Sequence, residues 1–225
     1  MKPHQNSLLF EDEDPPPHAD LETVQSPTIF KRKTADSPYS KRSLRDLRRQ
    51  QTASEALDGF DRGIQIFGYT KGQFSVIDVI REVLKYTGPA TLDISTWTAA
   101  NTDVTTVCDF IGQGSVTGSR WLVDLTFQRR SPQLAKRIRD TFGKDAIRVA
   151  KNHAKFALIE NDSWQVVLNT SMNLNFNPRF ENFSISHDPE AFAFHKAILD
   201  EIWQNQGRDL AAARPCDIHK QFDRS

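Results

Sequence analysis

The amino-acid sequence predicts an α/β fold in which helices flank a mixed β-sheet. From Gly63 onward, short apolar segments alternate with helical patterns of about 12 residues, an order typical of strands separated by helices. The apolar runs 156–159 and 164–168 are joined by a short polar turn, which predicts an antiparallel hairpin in the same sheet. A chain of 225 residues, of which 38% are hydrophobic, is long enough to bury one core.

The predicted elements follow one another in the order strand, helix, strand, helix. Strands are expected where β-branched and apolar residues cluster, at 64–67, 90–97, 120–127 and 146–149. Helices are expected where apolar residues recur at helical spacing, at 76–86, 101–112, 131–142 and 189–204. Residue types typical of helix ends support these bounds, with Asp188 before the last helix and Gly143 after the third.

Composition divides the chain into four segments. Residues 1–45 form an acidic and then basic tail, which we expect to be disordered because it holds too few apolar residues to form a core. Residues 46–62 are expected to form a linker helix, residues 63–206 the folded domain, and residues 207–225 a frayed C-terminal tail. The sequence identifies no partner for the acidic part of the tail.

A basic segment precedes the folded domain. Lysine and arginine clustered in this way displace counterions from a polyanion, so the segment is a candidate arm for binding substrate phosphates. The residues of this arm are Lys31, Arg32, Lys33, Arg45, Arg48 and Arg49. The alternative is a solvated linker whose charge balances the acidic tail, and the sequence does not choose between the two.

Cysteine content and hydropathy argue against several classes of protein. Cys108 and Cys216 are too few for a disulfide framework and lack the spacing of a zinc site, so we expect a reducing, cytoplasmic location. No apolar stretch approaches the roughly 20 residues of a membrane span, and the N-terminal residues lack the order of a signal peptide. No membrane partner is therefore expected.

One stretch of the chain contains the candidate site. His153 and Lys155 open the first strand of the hairpin, where alternation puts their side chains on one face. Ser171 and Asn173 follow the second strand, and Glu181 comes shortly afterwards. These residues supply a nucleophile or base, a cation, hydroxyl and amide donors, and a carboxylate. Such groups are needed to attack a phosphodiester and to hold its anionic oxygens.

This arrangement resembles the HKD motif of the phospholipase D superfamily, and in particular its single-motif bacterial nucleases. The likeness consists of HxK, an apolar strand, an acidic turn, a second strand, S-x-N and a later acidic residue, and it covers residues 63–206. Two positions depart from the family pattern. Glu160 stands where the family has an aspartate, unless Asp162 takes that role through a shift in register, and Thr170 stands where the family has a glycine.

The resemblance implies a phosphodiesterase that needs no metal or cofactor. Two HxK motifs meet in that superfamily, so one motif per chain implies a homodimer in which His153 of each copy faces the other. One imidazole attacks phosphorus and forms a phosphohistidine, and the other protonates the leaving group. Lys155, Ser171 and Asn173 are expected to hold the phosphate oxygens, and Glu181 to orient the imidazole.

We therefore expect a nuclease that cleaves DNA or RNA. The basic segment and the lack of a membrane-binding stretch favour nucleic acid over lipid, and Arg179 is a further candidate contact for substrate phosphate. The main alternative is a noncatalytic nucleic-acid-binding or assembly protein with this fold, and a phospholipid-acting transferase is the third. Trp97, Trp121 and Trp164 are interpreted as core or dimer-interface residues rather than base-stacking platforms.

Overall fold

A mixed β-sheet forms the centre of the protein. The computed structural model describes residues 41–43 and 52–206. Within these ranges the sheet has eight strands in the order β1-β2-β8-β7-β6-β3-β4-β5. The strands are β1 (Lys41–Ser43), β2 (Ile64–Thr70), β3 (Ala90–Thr96), β4 (Val116–Asp124), β5 (Ile147–Ala150), β6 (Phe156–Asn161), β7 (Trp164–Thr170) and β8 (Glu181–His187).

Helices connect or flank these strands, and a single 3-10 turn, Lys144–Ala146, precedes β5 in the described ranges. The helices are α1 (Ala53–Leu57), α2 (Val76–Thr87), α3 (Asn101–Gly112), α4 (Phe127–Arg130), α5 (Pro132–Phe142) and α6 (Pro189–Asn205). Two helix starts follow from local sequence. Ser75 and Asp78 form a capping box at the start of α2, and the Asp188 carboxylate accepts a hydrogen bond from the Ala191 N–H at the start of α6.

Strand directions define one end of the sheet. Strands β3, β4 and β5 run parallel to one another, whereas β6, β7, β8 and β2 follow β3 as successive antiparallel neighbours. The carboxyl ends of β2, β3, β4, β5 and β7 therefore meet the amino ends of β6 and β8. We call this the upper end of the sheet.

The core lies on both faces of the sheet. Ala157 and Ile159 belong to the hydrophobic cluster packed by α1, α2, α3 and α5, whereas Leu158 between them belongs to a second cluster, packed by α6. This alternation is the period-two pattern of a strand that is buried on both faces. Phe192 and Leu199 are the α6 side chains most completely buried against the second face.

The last residue of the described range protects the edge strand β5. The side-chain amide of Gln206 accepts a hydrogen bond from the Val149 N–H at 2.9 Å and donates to the Val149 carbonyl at 2.7 Å. These are the groups that a ninth strand would use. Because an unpaired strand edge invites pairing with other chains, the Gln206 side chain blocks that route at Val149.

The α/β fold with a mixed sheet and a hairpin is confirmed. The strand predicted at 120–127 is displaced, because β4 runs from Val116 to Asp124, a turn follows at 125–126, and α4 begins at Phe127. Strand β8 was not predicted, and β1 lies inside the tail predicted to be disordered. The expected linker helix is represented by the short α1. The rest of the acidic and basic tail, and the tail from 207 to 225, lie outside the described residues.

Candidate active site

The upper end of the sheet brings together candidate residues from three segments. His153 and Lys155 lie between β5 and β6, on a segment that passes the ends of β4 and β3. Ser171 and Asn173 follow β7, and Glu181 is the first residue of β8. Because β6, β7 and β8 are hydrogen-bonded neighbours, residues from these three positions share one surface.

The ammonium of Lys155 contacts the imidazole of His153. Its Nζ lies 2.9 Å from Nδ1 and 3.1 Å from Nε2, and it donates to the His153 main-chain oxygen at 2.7 Å. Both residues precede β6, whereas the sequence predicted them within the strand. The ladder still reaches Lys155, because the Thr170 N–H donates to its carbonyl at 3.1 Å. The contact places the ammonium charge of Lys155 directly beside the imidazole ring.

Asn152 fixes the segment that carries His153. Its buried Nδ2 donates to Ser95 Oγ at 3.0 Å and to the carbonyl oxygens of Thr96 and Leu122 at 3.3 and 3.2 Å. Its Oδ1 accepts from the Ala154 N–H at 3.0 Å. One amide thus ties the segment to the ends of β3 and β4, and the position of His153 depends on it.

Glu181 binds Ser171 rather than His153. The Ser171 hydroxyl donates to Glu181 Oε2, and the Asn177 side-chain amide donates to Glu181 Oε1 at 2.8 Å. The Ser171 oxygen also accepts from the Asn182 N–H at 2.9 Å. Both carboxylate oxygens are thus occupied, and the contact expected between Glu181 and the imidazole is not among the hydrogen bonds of the described residues.

Asn173 lies on a segment that crosses the end of β3. The next residue, Leu174, anchors it, since its N–H donates to the Thr98 carbonyl at 3.2 Å and its carbonyl accepts from the Ala100 N–H at 2.5 Å. The Oδ1 atom of Asn173 is buried and has no hydrogen-bond partner in the structure. An unsatisfied buried acceptor is unfavourable, and this oxygen can be satisfied only by a hydrogen-bond donor.

Burial and one neighbouring carboxylate set the charge state of Lys155. Partial burial strips water from the ammonium and lowers the pKa of Lys155, whereas the Glu181 carboxylate opposes that shift by favouring the charged amine. The amine and the carboxylate therefore interact even though no hydrogen bond joins them. A cation next to an imidazole provides a place for a phosphate group.

Trp97 contacts His153 from the end of β3. The two ring centroids are 5.8 Å apart, and the guanidinium of Arg130 lies 4.4 Å from the indole centroid. Arg130 also donates to the Trp97 main-chain oxygen at 3.0 Å. Trp121 and Trp164 are core residues, as interpreted from the sequence, whereas Trp97 is 37% exposed and borders the candidate site.

Glu160 lies at the opposite end of β6 from Lys155. Its carboxylate accepts a hydrogen bond from Lys196 at 3.2 Å, and Lys196 also bonds to the buried carboxylate of Asp93 at 3.2 Å. Five residues of strand span about 17 Å, so Glu160 acts in this ion-pair network rather than at His153. Asp162 is exposed in the turn that follows β6.

The remaining candidates for phosphate contact differ in location. Arg179 is exposed on the loop between β7 and β8, where its N–H donates to Asn177 Oδ1 at 3.2 Å. Arg179 therefore belongs to the same loop as the Asn177 contact to Glu181. The basic arm, at positions 31–33, 45, 48 and 49, lies outside the described residues.

Three residues of the site were not identified from the sequence, namely Asn152, Asn177 and Arg130. Asn152 directly precedes His153 and lies between two predicted strands. A polar residue in that position is typical of an exposed loop. The amide of Asn152 has buried partners because its segment crosses the ends of β3 and β4 in the folded protein. Arg130 falls between the strand predicted at 120–127 and the helix predicted from Ser131, where a basic residue is not specific for a site.

The described residues were also compared with the requirements of a membrane span and of a metal site. No helix in ranges 41–43 and 52–206 is long and apolar enough to cross a membrane. The same residues contain no group of three or more histidine, cysteine, aspartate and glutamate side chains arranged to hold a metal ion. Positive charge at the candidate site comes from Lys155 and, next to Trp97, from Arg130.

Comparison with known proteins identifies solved structures whose fold is similar to that of this chain. No family model and no curated protein matches the sequence. Polyphosphate kinase from Porphyromonas gingivalis is similar over 72% of this chain and 30% of its own length, with a TM-score of 0.50 and 15% identity. The present chain therefore spans less than a third of that enzyme.

Smaller proteins are similar over most of their own length. A phospholipase D family member, Nuc from Salmonella typhimurium, is matched over 62% of this chain and 93% of its own, with a TM-score of 0.44 and 12% identity. NucT from Helicobacter pylori is matched over 61% and 96%, with a TM-score of 0.45 and 14% identity. Identities this low concern the fold alone. The chain has the mixed α/β fold that its sequence predicts, and polyphosphate kinase is similar to it in that fold.

Proposed function

We propose that this protein is a metal-independent phosphodiesterase that cleaves nucleic acid with His153 as the nucleophile. The observation that supports the proposal is the contact of the Lys155 ammonium with the His153 ring, 2.9 Å from Nδ1. A neutral imidazole is a nucleophile, and a cation beside it stabilises the charge that develops on a phosphoryl group. His153 is exposed, so a phosphodiester can reach it.

The first step forms a covalent intermediate. A nitrogen of His153 attacks phosphorus, and the bond from phosphorus to the leaving oxygen breaks as the P–N bond forms. The leaving oxygen takes a proton from the protonated His153 of a second copy. Water then attacks phosphorus and the P–N bond breaks. The proton lost by that water returns to the second histidine, which restores both residues.

The other candidate residues hold the phosphate and the carboxylate in this proposal. Lys155 Nζ and the side-chain Nδ2 of Asn173 donate hydrogen bonds to the nonbridging oxygens. Ser171 donates its hydrogen to Glu181, so it positions that carboxylate. Glu181 in turn opposes the effect of burial on the pKa of Lys155 and so favours the charged amine.

A second copy of the chain is part of the proposal, because one HxK motif supplies only one histidine. In a dimer with twofold symmetry the same surface of each copy meets, and the exposed position of His153 permits that arrangement. Nucleophile and acid are then the same residue in two copies of the chain.

One observation favours a different class of function. Both oxygens of Glu181 are bonded to Ser171 and Asn177, so His153 lacks the carboxylate partner that the resemblance implies. An imidazole without that partner is less well oriented for attack. The second candidate is therefore a noncatalytic nucleic-acid-binding protein that uses the same cations.

A cleavage assay with EDTA present tests the proposal. The full chain is incubated with single-stranded DNA, duplex DNA, RNA and a small phosphodiester such as bis(p-nitrophenyl) phosphate. We expect cleavage by the wild type and loss of at least 1000-fold in rate for His153→Ala. His195→Ala is the matched control, because His195 is a half-buried histidine on α6 that bonds to Asn169 and Ala191.

Three results would contradict the enzymatic reading. Equal cleavage by wild type and His153→Ala would assign the activity to a contaminant, and cleavage only with a divalent metal would exclude the proposed chemistry. Binding without cleavage of any substrate would leave the noncatalytic candidate.

Two further experiments test the intermediate and the dimer. A phosphate label trapped on the protein identifies the intermediate directly if the label is acid-labile and absent from His153→Ala. Sedimentation that finds only monomer at assay concentration would exclude the shared site.

A further inference from the structure

Large aromatic side chains are exposed at the upper end of the sheet. Phe176 is 70% exposed, Phe180 and Tyr69 are each 43% exposed, and Trp97 is 37% exposed. All four lie beside the candidate active site, since Tyr69 pairs with Asn182, Phe180 precedes Glu181 and Trp97 contacts His153. Exposed aromatic residues concentrated at one place indicate a binding surface.

The loop that carries Phe176 and Phe180 is held in place by its contacts. Asn177 donates to Glu181 at 2.8 Å, and the loop packs on Gly72, which has a φ of +81°. A Cβ atom at Gly72 would lie 3.1 Å from the Cα of Pro178 and 3.4 Å from Cε2 of Phe176. The two phenylalanines therefore have a defined position relative to Glu181.

Cationic side chains lie next to these aromatic residues on both sides of His153 and Lys155. Lys71 Nζ lies 5.7 Å from the centroid of Phe180, and Arg130 lies 4.4 Å from that of Trp97. Along the upper end, the order β2, β8, β7, β6, β3 puts Lys155 between the two pairs. Four strand spacings make this surface about 19 Å wide.

We infer that this surface binds single-stranded nucleic acid, with unpaired bases stacked on Phe176 and Phe180 and phosphates directed to Lys71 and Lys155. The inference rests on the proposed function, whose substrate class it narrows. A phenyl ring offers a stacking surface and no hydrogen bond, so it accepts any base but requires the face of that base to be free. In a duplex, the faces of the bases are covered by their neighbours. Alternating aromatic and cationic groups match a single strand.

A binding experiment tests the inference independently of cleavage. The full chain with His153→Ala is titrated into a fluorescein-labelled single strand and into a blunt duplex of the same sequence, at fixed salt, with DNA and RNA as separate arms. We expect Phe176→Ala and Phe180→Ala each to weaken single-strand binding about tenfold and to leave duplex binding within twofold. Phe176→Tyr should retain affinity because it keeps the ring.

A control variant and a stacking readout separate this role from a structural one. Phe194→Ala removes a phenylalanine that is 65% exposed on α6, outside the proposed surface, and should leave binding unchanged. A 2-aminopurine base in the oligonucleotide should lose fluorescence on binding to the parent and retain it with the Phe176→Ala, Phe180→Ala double variant. Thermal unfolding of every variant should match that of the parent.

Several outcomes would overturn the inference. Equal loss of affinity for single strand and duplex would mean that the aromatic residues serve general phosphate binding, and unchanged affinity would exclude them. If Phe176→Ala converts a dimer into a monomer and leaves binding per site unchanged, the surface is an interface between copies. If the parent binds single strands as expected but the wild type cleaves none, the proposed function fails while the binding surface stands.

Discussion

The ammonium of Lys155 lies within 3.1 Å of both ring nitrogens of His153 and donates to the carbonyl of the same residue at 2.7 Å. The lysine thus binds the main chain and the side chain of a residue two positions away. This arrangement holds the amine at the imidazole, and the Glu181 carboxylate favours the charged form of that amine. Replacement of the amine should therefore act on chemistry more than on folding.

Lys155→Met should lower kcat/KM for phosphodiester cleavage at least 100-fold, because a preorganised cation that stabilises developing phosphoryl charge contributes about 10²- to 10³-fold. Lys155→Arg should recover part of that loss, since the guanidinium retains charge but has a different shape. Stability should change by less than about 1 kcal/mol, as for other half-exposed charged groups. A Lys155→Met variant as active as the wild type would remove the amine from the mechanism. Steady-state kinetics with urea unfolding of the same preparations measures both effects.

Glu181→Gln should shift the alkaline limit of activity to lower pH. Burial lowers the pKa of Lys155 and the Glu181 carboxylate raises it, so loss of the negative charge leaves only the lowering effect. If activity needs the charged amine, the rate falls as pH rises through that pKa, and in the variant it falls earlier. Carbon-13 NMR of the lysine side chain measures the same pKa without relying on activity.

Asp162→Asn is the matched control for charge, because Asp162 is an exposed carboxylate in the turn after β6. It removes one negative charge at the far end of the hairpin and should leave the pH profile unchanged. Equal shifts in the two variants would point to net charge rather than to a local interaction between Glu181 and Lys155.

Asn152→Ala should destabilise the protein by about 2 kcal/mol, because it leaves the buried carbonyl oxygens of Thr96 and Leu122 without their donor. Asn152→Asp should destabilise it further, since a carboxylate faces the same carbonyl oxygens and cannot donate when ionised. Activity of folded Asn152→Ala should fall mainly through kcat, since His153 loses its anchored position. Urea midpoints and kinetics below the transition measure the two effects. If Asn152→Ala is as stable as the wild type, water replaces the hydrogen bonds of the amide.

The sequence predicted the main elements of the fold because hydrophobic periodicity reflects burial on the two faces of the sheet. It failed for β8, where Glu181, Asn182, Ser184 and Ser186 interrupt the apolar pattern. That strand is stabilised by its pairing with β2 and β7, which are distant in sequence. The sequence also predicted too long a strand at 120–127, because the strand was extended through Phe127. A buried aromatic residue fits the apolar pattern of a strand as well as that of the short α4.

The candidate site was predicted in its residue types but not in its contacts. His153, Lys155, Ser171 and Glu181 come together because neighbouring strands begin and end at the upper end of the sheet. The contact of Glu181 with Ser171 rather than with His153 depends on side-chain geometry that spacing does not encode. The Trp97 contact to His153 likewise arises only because β3 and β6 are neighbours in the sheet.

Asp93→Ala should destabilise the protein by about 3 kcal/mol, because it leaves Arg120 and Lys196 without their shared buried partner. The Asp93 side chain is 5% exposed and lies 2.6 Å from Arg120. Asp200→Ala is the matched control, since Asp200 also bonds to Arg120 at 2.6 Å but is 45% exposed. It should change stability by less than about 1 kcal/mol. Equal effects in urea unfolding would mean that burial does not set the strength of these pairs.

Stability should decrease at acidic pH in a way that depends on His187. Burial lowers the pKa of His187, the nearby charge of Arg62 lowers it further, and Asp188 opposes both. The Nδ1 atom accepts a hydrogen bond from the Gln165 N–H at 3.0 Å, which requires that nitrogen to be unprotonated. Because the folded-state pKa lies below the unfolded-state value, the contribution is fully present above about pH 6.5 and is lost as pH falls through the folded-state pKa.

His187→Asn removes the titration and can keep an acceptor close to the position of Nδ1. We expect the free energy of unfolding of this variant to vary less than that of the wild type between pH 7.5 and 5, by urea unfolding at a series of pH values. The difference between the two proteins isolates His187 from the other five histidines of the sequence. Parallel curves over this range would mean that His187 has the same pKa in the folded and unfolded states. A steeper loss in the variant would mean that the folded state favours the protonated ring.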